Sequence, residues 1–457
     1  MKPRLSHAQR GIVVAPLIFA LLLVEGAVAC AQEYATAAEL ELMKGFPPPP
    51  GKQVTKQNAL FPPFNRWSYQ NMQMFLPSVD VPPAKQPSEL KRAIDRGFAE
   101  IRVSVPDPSG KPGRMNAARY IPTKDTVSLA TYLKETYTDS LVVIKGDKVV
   151  YEAYLNGMTE NQPHLMMSVT KSFTGLFGLM AVADKKLKET DQVADHVKEL
   201  KGAGAFKGAT FQHVLDMTNS MSFTETYTEP NSGIVHYATV VGLLEPQPNK
   251  KYESSIHEYL LKLEKDTRLD HGAKFRYHTP NSNVVNWVTN RVTGVSFQGQ
   301  LQDLWSKIGA AGPTYVLLDK TATPLDGSGL NATPSDLSRF AAMLLDDGKS
   351  GNTQVVPREI IQELSKGGSR EAFEDAPSAT GIMGTKDWSY RAMWWVRHTP
   401  GKEAFMACGI SGQWIFIDVK RGIAIIKQSS QPTSATDYQT AYDILGFEAI
   451  VAHLSKP

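Results

Sequence analysis

The chain has 457 residues, 42% of them hydrophobic and 21% charged, and a formal charge of +3. This length is enough to bury a large core, and a composition this apolar and this close to neutral excludes a mainly disordered protein. No basic run or aromatic-basic interleaving follows the N-terminal segment, which argues against a nucleic-acid partner.

Residues 1–31 read as a secretory leader. Lys2, Arg4 and Arg10 precede an apolar run from Ile12 to Val24, and Ala27-Val28-Ala29-Cys30-Ala31 offers small residues for cleavage after Ala29 or Ala31. The run of 13 residues is short for a membrane span, which takes about 20. The expected location is therefore outside the cytoplasm, periplasmic or secreted. A membrane tether would arise only if Cys30 is lipidated, which the Ala27 that opens the box leaves open. Removing the leader takes away three basic residues and one acidic, leaving a charge of +1, and Cys408 as the one remaining cysteine. A single cysteine forms no internal disulfide, so stability rests on the core.

Residues 32–124 form a proline-rich arm, with Pro47 to Pro50 in succession and then Pro62, Pro63, Pro82, Pro83 and Pro87. Phe61, Phe64, Trp67, Tyr69 and Phe75 are interleaved, more rings than a free linker carries, so the arm is expected to pack over the main domain and edge its cleft. Ser88-Glu89-Leu90-Lys91 has a serine and a lysine three apart, but its charged surroundings suit a surface helix capped by Ser88.

Residues 125–457 are expected to form the main domain. Leu141–Glu152 is two β-rich runs about a Lys145-Gly146-Asp147-Lys148 turn, a hairpin. Helices are expected over 168–184, 210–217 and 283–293. Strands follow at 413–418 and 422–428, joined at Val419-Lys420-Arg421, and a last helix at 436–454. Strands at both ends with helices between predict an α+β fold: one antiparallel sheet whose edges come from distant sequence. There is no internal repeat and no second complete domain.

Ser168-Val169-Thr170-Lys171 carries the most chemistry. At i and i+3 of a helix the two side chains share a face, roughly 5–6 Å apart at Cβ, so the amine can reach the hydroxyl and activate it. The run after it, with Phe173, Leu176, Phe177, Leu179 and Met180, is that of a buried central helix. Desolvation and the positive helix end both favour a neutral, basic lysine there.

Other chemistries have less support. His257-Glu258-Tyr259-Leu260-Leu261 stops short of H-E-x-x-H and the ten histidines are scattered, so neither a metal nor an organic cofactor is expected. Gly409-Ile410-Ser411-Gly412 is not the G-x-S-x-G of a nucleophile elbow. His278 is read as structural. Trp394-Trp395 fits either an apolar substrate wall or core packing.

Met166-Met167-Ser168-Val169-Thr170-Lys171-Ser172-Phe173, Val214-Leu215-Asp216-Met217-Thr218-Asn219, Phe275-Arg276-Tyr277 and Gly329–Leu337 resemble, in order, the class C β-lactamase and penicillin-binding-protein superfamily of serine hydrolases. Ala407–Gln413 and Trp394-Trp395 look most like its 6-aminohexanoate-dimer hydrolase branch, and the likeness covers about residues 125–452. The resemblance implies a β-lactamase/transpeptidase-like fold: an antiparallel sheet flanked by helices beside a mainly helical lobe, with the serine between them. It implies Ser168 as nucleophile, Lys171 as the amine sharing its proton and Tyr277 as a second base or acid. For Tyr277 to be a base, a nearby charge such as Lys171 must lower a phenol pKa of about 10. The oxyanion donors implied are the Ser168 N–H and that of Ile410, with Gln413 as the alternative. Gly409 and Gly412 either let substrate approach the backbone or simply turn the chain.

Two departures restrict the substrate. Ala407-Cys408-Gly409 stands where β-lactamases have Lys-Thr-Gly, and Tyr277-His278-Thr279 where they have Tyr-x-Asn, so the orienting amide is lost unless Asn281 or Asn283 replaces it, with Thr279 left as a substrate-binding candidate; both changes count against efficient β-lactam hydrolysis. Loops near 225–255 and 365–390 are expected to wall the cleft. The function expected is hydrolysis of a small amide or ester through a Ser168 acyl-enzyme. The alternatives are a silent binding protein of the same fold, or a D-amino-acid peptidase or β-lactamase. The oligomeric state stays open.

Overall fold

The computed structural model describes residues 34–107, 122–376, 378–379, 381–434 and 436–456; the expected leader lies outside them. An eight-stranded sheet forms the frame, in the spatial order Trp388–Arg391, Trp394–Arg397, Ala404–Gly409, Gln413–Asp418, Ile423–Ser429, Thr138–Lys145, Lys148–Tyr154 and Lys91–Arg92. The expected hairpin is its Thr138–Lys145 and Lys148–Tyr154 pair, and the C-terminal strands join it through Ile423–Ser429 against Thr138–Lys145. Distant segments thus meet at the centre, whereas the edges come from the C-terminal third and the arm. All pairings are antiparallel except that of Lys91–Arg92 with Lys148–Val149.

A second, four-stranded sheet was not legible in the sequence. Ser78–Val81, Thr314–Leu317, Leu330–Ala332 and His164–Leu165 are two to four residues each, too short to show a period.

The Val169–Ala183 helix runs between the sheet and the helical lobe, and all but three of its residues are buried. Being apolar on every side, it has no solvent face to pattern, as befits a helix packed all round. Gly175 lets it touch the sheet: a Cβ there would lie 1.9 Å from the Ala392 carbonyl oxygen. On its other side it packs against the Pro280–Thr293 helix. Arg391 fastens the lobes together, bonding both Asp216 carboxylate oxygens at 2.9 and 3.0 Å and pairing with Glu189 and Glu363.

The arm packs on the main domain but from behind the cleft. Arg66 reaches the buried Asp139 at 2.9 Å and the Tyr137 carbonyl at 3.0 Å, and Asn65 donates to the Ser430 and Gln431 carbonyls. Tyr69, Met72, Leu76, Phe98 and Val103 enter the main core. Nor is there a helix at Ser88. Its hydroxyl and amide bond the Ile308 and Gly309 carbonyls, so it closes the C-terminal end of a distant helix, Phe297–Ile308. A capping residue was expected there, but the end it satisfies belongs to another segment.

Candidate active site

Ser168 is the residue from which the Val169–Ala183 helix starts, and Met167 before it takes a left-handed φ of +47° to turn the chain into that helix. Local strain of this kind concentrates at functional sites. The geometry expected for the pair is realised: Lys171 Nζ donates to Ser168 Oγ at 2.7 Å and to the Gly327 carbonyl at 2.8 Å. Lys171 is 1% exposed, and burial pulls its pKa down to about 8 against the opposing pull of Glu225 and Asp326. A good fraction of the amine is therefore neutral near pH 8.

Tyr277 comes from the turn entering the Pro280–Thr293 helix, where Pro280 sets the first helical position. Its ring centroid is 5.3 Å from Lys171 Nζ, and its phenol interacts with the Ser168 hydroxyl. Hydroxyl, amine and phenol thus converge. The expected lowering of the phenol's pKa is not found. Burial raises it well above the ordinary value and Glu225 adds to this; the Ser168 contact opposes them, too weakly to reverse the direction. Desolvation outweighs any help from Lys171, so the Tyr277 phenol stays protonated at neutral pH.

Two backbone amides stand together beside Ser168. Gly409 ends the Ala404–Gly409 strand against Ser168: a Cβ on it would lie 2.5 Å from the Met166 oxygen and 3.1 Å from the Ser168 nitrogen. This brings the next amide, that of Ile410, beside the Ser168 amide, and neither has an acceptor among the described residues. The two glycines divide the readings between them. Gly409 permits close approach, while Gly412, at φ +86°, completes the Ile410-Ser411-Gly412 turn. The alternative, Gln413, is the strand partner of Gly409, and its fully buried side chain bonds the Ser411 carbonyl at 3.1 Å and Ser429, holding the turn.

These groups open on a cavity of about 580 Å³. Its walls include Phe223 to Tyr227 and Ser378 and Met383, from the two loops expected, and also Arg276, Gln431 and Thr440. Among the described residues no arm residue lines it, so the described part of the arm does not edge the cleft. Trp395 faces the cavity and lies over Tyr277 at 5.9 Å and 19° between rings. Trp394 points the other way, as alternation along a strand requires, and bonds the Ser172 carbonyl inside the core at 3.1 Å.

The residues expected to replace the lost amide do something else. Thr279 is buried, and both its amide (3.0 Å) and its hydroxyl donate to the Glu225 carboxylate, so it does not face substrate. Asn283 donates to Asp326 at 2.7 Å, and Asn281 is fully buried away from the cavity. His278 shows an edge to the cavity, but burial drives its pKa down to about 3 and keeps it neutral. At the position of the β-lactamase lysine stands the buried, uncharged Ala407, and the neighbouring Cys408 thiol, whose pKa burial raises, supplies no cation either.

Glu225, Tyr227 and Asp326 were missed. Glu225 lay in a loop named as cleft wall but carried no motif. Asp326 precedes Gly327 in a glycine-rich turn and shows no sign in the sequence of lying beneath Lys171.

A family model described as beta-lactamase matches residues 129–447. The chain belongs to the beta-lactamase family. A curated relative, the 6-aminohexanoate-dimer hydrolase of Paenarthrobacter ureafaciens, is 28% identical over 82% of this chain and 87% of its own. Among solved structures, a Bacillus anthracis protein named as a 6-aminohexanoate-dimer hydrolase superposes with a TM-score of 0.76 at 26% identity, covering 89% of this chain and 98% of that one. A penicillin-binding-protein homologue from Caulobacter crescentus shares the fold, with a TM-score of 0.52 at 12% identity over 70% of this chain and 96% of its own. This member of the beta-lactamase family is accordingly a hydrolase of that fold, related to 6-aminohexanoate-dimer hydrolase.

Proposed function

We propose that the protein is an exported serine hydrolase that cleaves a linear amide or ester through an acyl-enzyme on Ser168. The observation that carries this reading is the 2.7 Å contact of the buried, partly neutral Lys171 amine with the Ser168 hydroxyl, beside two unpaired backbone amides. Ser168 Oγ attacks the carbonyl carbon as its proton passes to Lys171, and the oxyanion is held by the Ser168 and Ile410 N–H groups. Tyr277 gives its proton to the leaving amine or alcohol as the bond to carbon breaks, and regains one from the Lys171 ammonium. Water then attacks the ester to free the acid.

The substrate class follows from the walls. A cavity of about 580 Å³ lined by Trp395, Met383, Ile410 and Trp414 suits an extended, largely apolar chain. The amide named in the relatives from Paenarthrobacter and Bacillus is of that kind. Neither Ala407, at the lysine position, nor the Cys408 thiol beside it offers a charge to a β-lactam carboxylate, so β-lactam hydrolysis ranks behind linear amides and esters in this reading. Export rests on Lys2, Arg4 and Arg10 ahead of the apolar run to Val24.

Ser168→Ala tests the reading. Hydrolysis of p-nitrophenyl esters and short linear amides is expected to vanish while the melting temperature stays nearly unchanged. In the unaltered chain a fluorophosphonate should add its mass to Ser168. Retained turnover in the variant, or an unlabelled serine as in a mere binding protein, would refute it.

A further inference from the structure

We propose that Glu225 is a positioning residue for the Lys171 base, standing in for the side-chain amide that Tyr277-His278-Thr279 lacks. The inference rests on the acyl-enzyme reading above.

Glu225 is held as few surface carboxylates are. Thr279 donates its amide to one oxygen at 3.0 Å and its hydroxyl to the other, and the Tyr227 phenol donates to Glu225 Oε1 at 2.9 Å. Thr279 lies two residues beyond Tyr277 at the start of the Pro280–Thr293 helix, so the segment that delivers the phenol also fixes the carboxylate. Glu225 shares the cavity wall with Ser168 and Tyr277. Among the described residues no cation pairs with it within 4.0 Å; burial raises its carboxyl pKa, the Lys171 amine opposes this first, and Glu225 in turn leads the groups that favour the charged amine. Three fixed donors and no ion pair leave its field directed at the base. In that place it holds a proton on the amine long enough to be handed to Tyr277 and restrains Lys171 from discharging too early.

The groups facing Lys171 are few. Asp326 lies below it from the 325–329 loop, its pKa raised to about 7 by burial, and bonds Asn283 and Asn286. The Tyr277 ring centroid lies 5.3 Å from the Lys171 nitrogen; around Glu225 stand Tyr227 from the cavity wall, Tyr237 from the helical lobe and Tyr390 from the sheet, and burial raises all four phenols, so none of them ionises near neutrality. Asp326 is common to any pair of variants at position 225, so a comparison at that position isolates Glu225.

The test is the rate of Ser168 acylation by a fluorophosphonate against pH, read by intact mass, with melting temperatures measured alongside. In the unaltered chain the rate should rise with a midpoint near pH 8, set by Lys171. Glu225→Gln keeps the shape and removes the charge, so the midpoint should fall by about one unit. Glu225→Asp keeps the charge and should hold the midpoint near that of the unaltered chain although the rate drops. Should Glu225→Gln fail to fold, Thr279→Val, which removes one of the two donors to Oε1 and so favours the protonated carboxyl, should lower the midpoint by a smaller step. A purely structural role would slow the reaction without moving the midpoint, and an unmoved midpoint in the folded variant overturns the proposal. Failure of the unaltered chain to react at any pH would instead remove the acyl-enzyme reading itself, and this inference with it.

Discussion

Gly409 and Ser168 are pressed together, a Cβ on the glycine having only 3.1 Å to the serine nitrogen and 2.5 Å to the Met166 oxygen. Backbone atoms line both sides of that contact and cannot swing away as a side-chain tip would. Gly409→Ala should therefore part the strand from the helix start and spread the two amides that face the oxyanion. Loss of one such donor costs about 10²–10³-fold in kcat, and ester turnover by this variant, corrected for folded fraction, should fall by that order. Turnover within tenfold of the unaltered chain would place the anion site elsewhere.

Lys171 links activity and stability to pH. Its folded pKa of about 8 lies below the unfolded value of 10.5, so between these the unfolded chain binds more protons, and the contribution of this residue to stability rises with pH. Below pH 8 both states are protonated and the cost of burying the charge is fully present. The melting temperature of the unaltered chain should thus gain on that of Lys171→Met as pH is raised from about 8 to 10.5, in a calorimetric series. Over the lower part of that range kcat/KM should also rise, because the neutral amine is the base. A kcat/KM that falls through pH 8 would point to the protonated amine as the working form.

The adjacent tryptophans should separate cleanly. Trp395→Ala opens the cavity wall over Tyr277, so KM for apolar amides should rise with a smaller loss of stability than at 394. Trp394→Ala empties a core site and leaves the Ser172 carbonyl without its indole donor, at a cost of about 3–5 kcal/mol. Denaturant titrations and steady-state kinetics on the two variants check the division.

Arg66 ties the arm to the sheet through Asp139, which also faces His164 at 3.0 Å and accepts from Ser430. Burial works to raise the Asp139 carboxyl, but Arg66 and His164 together hold it below its usual range. Arg66→Ala strips a buried carboxylate of its cation and should destabilise the chain by about 3–5 kcal/mol. Because Gln431, whose carbonyl Asn65 binds, borders the cleft, substrate affinity should weaken with it, measurable as KM at a temperature where the variant stays folded.

The sequence alone determined the parts whose signal is local. A hydroxyl and an amine three apart on one helix meet by helical geometry, so Ser168 and Lys171 could be paired before any fold was known. The apolar run behind them marked a buried helix, the Gly146 turn marked a hairpin, and several spaced blocks placed Tyr277 with the pair and the chain in its family. Tertiary structure decided everything that depends on what else arrives. Burial from all sides, rather than proximity to an amine, sets the direction of the Tyr277 pKa and keeps that phenol protonated. The Thr279 hydroxyl, read from sequence as facing substrate, is spent on Glu225, which is 54 residues away along the chain. Ser88 closes the end of a helix more than two hundred residues distant. Such contacts leave no periodicity or spacing behind, because a hydrogen bond across the fold constrains only the two residues that make it.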